Sequence, residues 1–128
     1  MTSEVVSEVC SCFARESMAR NFKGLDMQES EVIAKTDKLR VRIMSLSPHE
    51  VAKWHFHTEV TDDIFCLTGS ILVRIRDPVG EVRLTPGQRC QIFVGRIHRL
   101  ENLEDREATY LLVQGIGKYD FNVLDQEG

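Results

Sequence analysis

From Lys38 onward the chain breaks into short apolar stretches, each closed by turn residues, and this punctuation constrains the fold more than any other feature. Lys38 to Leu46 alternates basic and apolar residues through Arg40, Val41, Arg42 and Ile43. Similar stretches run from Val51 to His57, Ile64 to Thr68, Ser70 to Arg76, Glu81 to Leu84, Arg89 to Val94 and Thr109 to Gln114. Between them lie Ser47-Pro48-His49, Gly69, Asp77-Pro78-Val79-Gly80, Pro86-Gly87, Gly95-Arg96 and Asn102-Leu103-Glu104-Asp105. Glycine tolerates the positive φ that tight turns need and proline presets a turn-compatible φ. Strands separated by such signals at intervals of about 8–12 residues predict an all-β sandwich or closed barrel.

The N-terminal part reads differently. Val5, Val6, Val9, Cys10, Phe13 and Ala14 recur at helical spacing, which predicts a helix over Ser3 to Met18 with Ser3 as N-cap. Asn21 and Gly24 would end it. Leu25 to Asp37 is polar and reads as a connection with a short strand around Val32-Ile33. The expected organisation is therefore an N-terminal helix and connecting segment over residues 1–37 and a barrel over 38–128, together one structural domain. An amphipathic helix must bury its apolar stripe, either on its own barrel or across a homodimer.

Composition narrows the function classes. With 42% hydrophobic and 28% charged residues, the 128-residue chain has the make-up of a folded domain rather than a disordered one. A net charge of -4 offers no general attraction to nucleic acid or anionic membranes, so neither is expected as a partner. No apolar run approaches the roughly 18 residues of a membrane span. The start of the sequence lacks the pattern of a secretory signal, and a cytoplasmic location is expected. Cys10 and Cys12 are too close for a Cys-x-x-Cys site, and Cys66 and Cys90 sit in apolar stretches; all four read as reduced structural thiols.

Two of the four histidines, His55 and His57, stand two apart in a strand-like stretch. In an extended strand such residues project to one face, so both imidazoles would enter one space and form half of a metal site. Four residues separate His57 from Asp62, and six separate Asp62 from Gly69. Downstream, Gly87 is followed after five residues by Phe93, then Gly95, His98 and Asn102. This arrangement resembles the two motifs of the cupin superfamily, H-x-H-x(3,4)-E-x(6)-G and G-x(5)-P-x-G-x(2)-H-x(3)-N. Asp62 stands at the usual Glu and Phe93 at the usual Pro. The resemblance covers roughly Arg40 to Gly115, and the whole chain is similar to small cupins of the mannose-6-phosphate isomerase-like type.

What the resemblance implies is a double-stranded β-helix, or jelly-roll barrel, in which His55, His57, Asp62 and His98 hold one divalent transition metal: iron, manganese, nickel or zinc. Two positions of a six-coordinate ion would stay open. The Asp62 carboxylate would reach the ion directly or through water, and Glu59 and Asp63 are nearby alternatives. The implied function is a metal-dependent enzyme acting on a small polar or anionic metabolite, of dioxygenase, isomerase or lyase type. The alternative is a non-catalytic sensor or binding module using the same pocket, and the common family assembly is a homodimer.

Other residues are candidates for contact with a substrate. Lys53 shares strand parity with His55 and His57, and Arg96 sits just before His98. Tyr110 and Gln114 alternate on the strand after the second motif and would face the cavity together. Cys66 shares parity with Asp62, which places it near the pocket floor or in the core. Arg40, Arg42, Arg74 and Arg76 read as wet strand faces opposite apolar core faces. Gly69, Gly87 and Gly95 are expected at tight turns, Asn102 as a turn anchor and His49 on the surface.

Overall fold

The computed structural model describes residues 28–124, which form two five-stranded sheets. The elements are β1 (Gln28–Lys35), β2 (Leu39–Leu46), β3 (His55–Phe56), β4 (Thr61–Thr68), β5 (Ile71–Ile75), β6 (Gly80–Leu84), β7 (Arg89–Ile92), β8 (His98–Glu101), β9 (Ala108–Gly115) and β10 (Asn122–Val123). One sheet has the order β1-β2-β9-β4-β7 and the other β10-β3-β8-β5-β6. Every pairing is antiparallel. Only β1-β2 and β5-β6 are neighbours in both sequence and sheet; the other pairings join strands distant in the chain, as in a jelly roll.

Alternation builds the core. In β9, Ala108, Tyr110, Leu112 and Gln114 point inward while the residues between them are half-buried on the outer face. Met44, Leu46, Ile64, Cys66, Ala108, Tyr110 and Leu112 from the first sheet meet Ile71, Val73, Leu84 and Leu100 from the second. Each large apolar side chain buried here stabilises the fold by about 1.5–3 kcal/mol. Asn102 is buried and locks the β8-β9 turn: its amide nitrogen donates to the carbonyls of Leu46, Ser47 and Arg106, and its Oδ1 accepts from Glu104 N–H. Gly69 adopts φ +78, and a Cβ there would lie 2.9 Å from Ala108 Cβ, so both conformation and space demand glycine. Gly87 and Gly95 also have positive φ, and His49 is exposed in its turn, as the sequence predicts.

The structure departs from the sequence reading at β1 and β3, and one expectation falls on residues it does not describe. The helix expected over Ser3 to Met18, with Cys10 and Cys12, lies outside the described residues. The segment expected to be a connection with a short strand around Val32-Ile33 contains an eight-residue edge strand, β1, paired to β2 through two register shifts. Its side chains are polar because an edge strand is wet, and polarity hid the strand. Finally, the stretch Val51 to His57 is regular strand only at His55–Phe56, while Val51 makes a single bridge to Glu101. Among the described residues no helix is long and apolar enough to cross a membrane.

Candidate metal centre

His55 is the register partner of His98 across β3 and β8, so an antiparallel pairing sets two imidazoles side by side. Their ring centroids are 4.4 Å apart, and His57, two residues along, brings a third ring 5.1 Å from His55. Asp62 projects from the opposite sheet, on the inward face of β4 with Ile64 and Cys66. One ligand atom from each of His55, His57, Asp62 and His98 lies within 4.8 Å of the others, and all four residues are buried. That separation is on the scale of a single ion's coordination shell.

The backbone decides which ring nitrogen faces inward. His55 Nδ1 lies 2.8 Å from the Lys53 carbonyl, His57 Nδ1 2.6 Å from that of Asp120, and His98 Nδ1 2.7 Å from that of Arg96. A carbonyl only accepts, so each Nδ1 carries the hydrogen and donates it. That leaves the Nε2 of each ring for the cluster, and the Nε2 atoms of His57 and His98 lie within 3.3 Å of Asp62 Oδ2. Nδ1–H held by a carbonyl is the usual outer support of a metal-ligating histidine.

Without a cation these atoms conflict. Asp62 Oδ2 lies 3.2 Å from His98 Nε2 and 3.3 Å from His57 Nε2. The His57 nitrogen is close enough for an ion pair but makes no hydrogen bond, and it is buried without a partner. A carboxylate oxygen and imidazole lone pairs repel unless a proton or a metal ion sits among them. Burial opposes charge on His57, yet the Asp62 carboxylate and the Asp120 carbonyl outweigh it and raise its pKa. Burial also opposes charge on Asp62, but His57 and His98 hold its carboxyl well below the usual range. For His55, burial and then the neighbouring His98 push the pKa down to about 3. The set therefore holds an ionised carboxylate beside a neutral His55, and draws positive charge toward His57, the place a divalent cation would fill.

A cavity of about 280 Å³ opens over these four residues. Its floor is apolar, with Met44, Ile64, Leu100 and Leu112, and its walls carry Arg42, Tyr110 and Gln114. Gln114 Nε2 donates to Asp62 Oδ1 at 2.9 Å, and Gln114 Oε1 accepts from an Arg42 η nitrogen. Arg42 Nη1 in turn meets Glu29 Oε1 at 3.2 Å. One oxygen of Asp62 is thus fixed by the protein and the other aims at the histidines.

The structure sorts the sequence candidates. Tyr110 and Gln114 line the cavity as expected, and burial drives the Tyr110 phenol far above its ordinary pKa. Glu59 and Asp63 stand apart from the cluster: Glu59 accepts from Lys118 N–H, and Asp63 faces outward to Arg89. The Lys53 side chain is exposed and does not line the cavity. Ahead of β3 the inward residues are Ala52 and Trp54, and the alternation changes phase between Trp54 and His55, so parity carried back from the histidines misplaces Lys53. The Arg96 guanidinium turns away to the carbonyls of Arg76 and Pro78. Lys53 and Arg96 serve the cluster through their carbonyls.

Cys66 lies in the core, its thiol near the Thr68 and Gly69 carbonyls; burial raises its pKa, and it and Cys90 are free thiols. Arg74 and Arg76 occupy an outer face, as expected, beside Glu101 and over Trp54. Arg42 corrects the expectation of a wet strand face: it is 7% exposed, on the same face as Met44 and Leu46. The basic side of β2 faces inward because the barrel mouth it lines is polar. Tyr119 and Phe121 went unread in the sequence. Phe121 stacks on His55 with centroids 4.4 Å apart, and Tyr119 lies 5.6 Å from His57 beneath the Arg40 guanidinium. Their alternation with Asp120, whose carbonyl holds His57, was the available signal.

Comparison with known proteins agrees with this architecture. A family model described as "Cupin domain" matches residues 42–114. No curated protein matches the chain significantly. Among solved structures, an uncharacterized conserved protein with a double-stranded β-helix domain from Klebsiella pneumoniae is similar at 17% identity and TM-score 0.68, covering 83% of this chain and 90% of that one. An oxalate oxidase is similar at 16% identity and TM-score 0.63, covering 68% and 46%. A sugar phosphate isomerase of the cupin superfamily from Silicibacter pomeroyi is similar at 19% identity and TM-score 0.56, covering 70% and 70%. At these identities the likeness is one of fold.

Proposed function

The chain belongs to the cupin family, and from that membership we propose that it is a metal-dependent enzyme acting on a small polar or anionic metabolite. The observation that carries this reading is the convergence of three Nε2 atoms and Asp62 Oδ2, with every Nδ1 already committed to a carbonyl. His55, His57, Asp62 and His98 would hold the ion, and a donor set of three imidazoles and a carboxylate suits iron, manganese, nickel and zinc alike. When bound, such an ion supplies Lewis-acid or oxygen-activating chemistry at its open positions.

The chain's own residues prepare the site. Gln114 fixes the direction of the Asp62 carboxylate. Phe121 and Tyr119 cover the imidazoles and limit water, while the apolar floor leaves the cluster as the polar end of the cavity. Tyr110 keeps its proton at neutral pH, so its hydroxyl donates to a bound ligand rather than acting as a base. The cavity lies near the small end of ligand pockets, which supports a metabolite-sized substrate. The neighbours include an oxidase and an isomerase by name, and one fold hosts many chemistries, so the reaction class remains part of the proposal.

Homodimer formation belongs to the same reading. Val41, Ile43, Phe65, Leu111 and Val113 form a half-buried apolar patch on the outer face of the first sheet, joined by register pairs. A cytoplasmic setting belongs to the same reading, in which Cys66 and Cys90 stay reduced.

Elemental analysis of protein purified without added metal tests the centre. About one ion per chain is expected, lost in His98→Ala while the fold persists. Failure to bind any of the four divalent ions would refute the reading. A full metal site with saturable ligand binding and no turnover across a metabolite panel would replace the enzyme by a sensor module.

A further inference from the structure

We infer that Arg42 is the recognition residue of this cavity for a carboxylate group on the ligand. The inference deepens the proposed function by naming the substrate class, and it rests on that reading only for what occupies the opposite end of the cavity.

Arg42 is the cation among the cavity-lining residues and is more than nine-tenths buried. A guanidinium has five N–H donors in a rigid plane. Glu29 takes one and Gln114 another, while the buried Nε–H has no partner. A buried donor without an acceptor is costly, and an incoming oxyanion relieves that cost. Glu29 is 41% exposed at its side chain, so its grip on Arg42 is solvent-screened and yields readily to a better-placed anion.

Charge balance points the same way. Within the lining, Arg42 and Asp62 cancel, so a divalent ion among the histidines would leave the cavity positive by two charges, or by one with the Glu29 carboxylate on Arg42 counted. In a poorly hydrated space that excess favours an anionic ligand. A planar carboxylate matches the guanidinium plane with two parallel hydrogen bonds, and the cavity of about 280 Å³ limits the ligand to a small acid. Arg40, with its guanidinium 3.9 Å from the Tyr119 centroid, adds positive potential at the mouth.

Titration calorimetry with lactate, its neutral amide lactamide and inorganic phosphate tests the assignment on the full chain as purified, with metal content measured in parallel. Wild type should bind lactate at least roughly 10-fold more tightly than lactamide. Arg42→Gln should weaken lactate by roughly 10- to 100-fold and leave lactamide unchanged, with Arg42→Lys between the two. Arg106→Gln, at an exposed position, should match wild type. Circular dichroism checks that the variants fold; if Arg42→Gln does not, Arg42→Lys carries the comparison. Equal binding of lactate and lactamide by wild type overturns the inference, as does an equal loss of both in the variant or no binding of lactate. Tighter binding of phosphate than lactate overturns the carboxylate assignment. Discrimination that persists in protein that takes up none of the four divalent ions upholds Arg42 and defeats the metal reading, whereas a metal-loaded protein without discrimination does the reverse.

Discussion

Replacing His55 by Gln should abolish a pH dependence that the metal-free fold carries. His55 is 3% exposed, and burial, reinforced by His98, holds its pKa down to about 3. In the unfolded chain the same imidazole titrates near its ordinary value of about 6.5. As pH falls below that value the unfolded chain takes up a proton that the folded protein refuses. A depressed histidine thus contributes stability that is complete above the unfolded pKa and lost as pH drops toward the folded one. From pH 6 to pH 5 the loss is about 1.2 kcal/mol, against a limiting slope of about 1.4 kcal/mol per pH unit. It does not depend on the folded value as long as that value lies well below 5. His57 is raised, so its contribution is present below about pH 6.5 and lost above; over the same window it offsets only about 0.1 kcal/mol. Asp62 is held low, and its contribution disappears only below the ordinary carboxylate range. Urea unfolding of wild type and His55→Gln with a chelator present, at pH 6.0 and 5.0, reads the effect directly. With a slope of about 1.5 kcal/mol/M, the midpoint gap between the two proteins should shift by about 0.8 M between the two pH values, to the disadvantage of wild type. An unchanged gap would mean that His55 is not held neutral by burial, and the argument for a neutral His55 beside the Asp62 carboxylate would fall with it.

Three further outcomes follow from the same geometry. Gln114→Leu removes the donor to Asp62 Oδ1 and should lower metal affinity roughly 10- to 100-fold in a folded protein, measured by competition with a chelating dye. Asn102→Ala strips three carbonyls and one N–H of their partner and should destabilise the fold by about 2–4 kcal/mol in urea titrations, without changing the metal stoichiometry of the folded fraction. Gly69→Ala must hold a side chain at positive φ against Ala108, so a loss of about 1–3 kcal/mol is expected by the same assay, and wild-type stability would refute the packing argument.

Much of the barrel was legible because inward and outward residues alternate wherever a strand has one dry face. Strands β4, β5, β6, β7 and β9 emerge at the expected places, and the turn glycines and Asn102 do the work their residue types suggest. Reading failed where one face is not dry. Edge strand β1 is wet, and only its part around Val32-Ile33 was read as strand. In β2 the basic face was read as solvent, since a polar cavity wall and a polar surface have the same pattern. Lys53 failed for another reason: parity holds only within a continuous strand, and the phase changes at Trp54.

The buried cluster was also legible, because His55-x-His57, Asp62 and His98 carry their spacing in the chain, and these four residues do meet. Local spacing determines which side chains share a strand face, and that is a property of the extended backbone alone. Tertiary structure decided the rest: that His55 pairs with His98, that Asp62 rather than Asp63 or Glu59 arrives from the opposite sheet, and that three carbonyls turn every Nε2 inward. It also brought Tyr119 and Phe121 over the imidazoles and buried Arg42 beside Gln114. Those contacts join residues far apart in sequence, whose proximity is set by sheet closure and packing, and no pattern along the chain encodes a distance across a barrel.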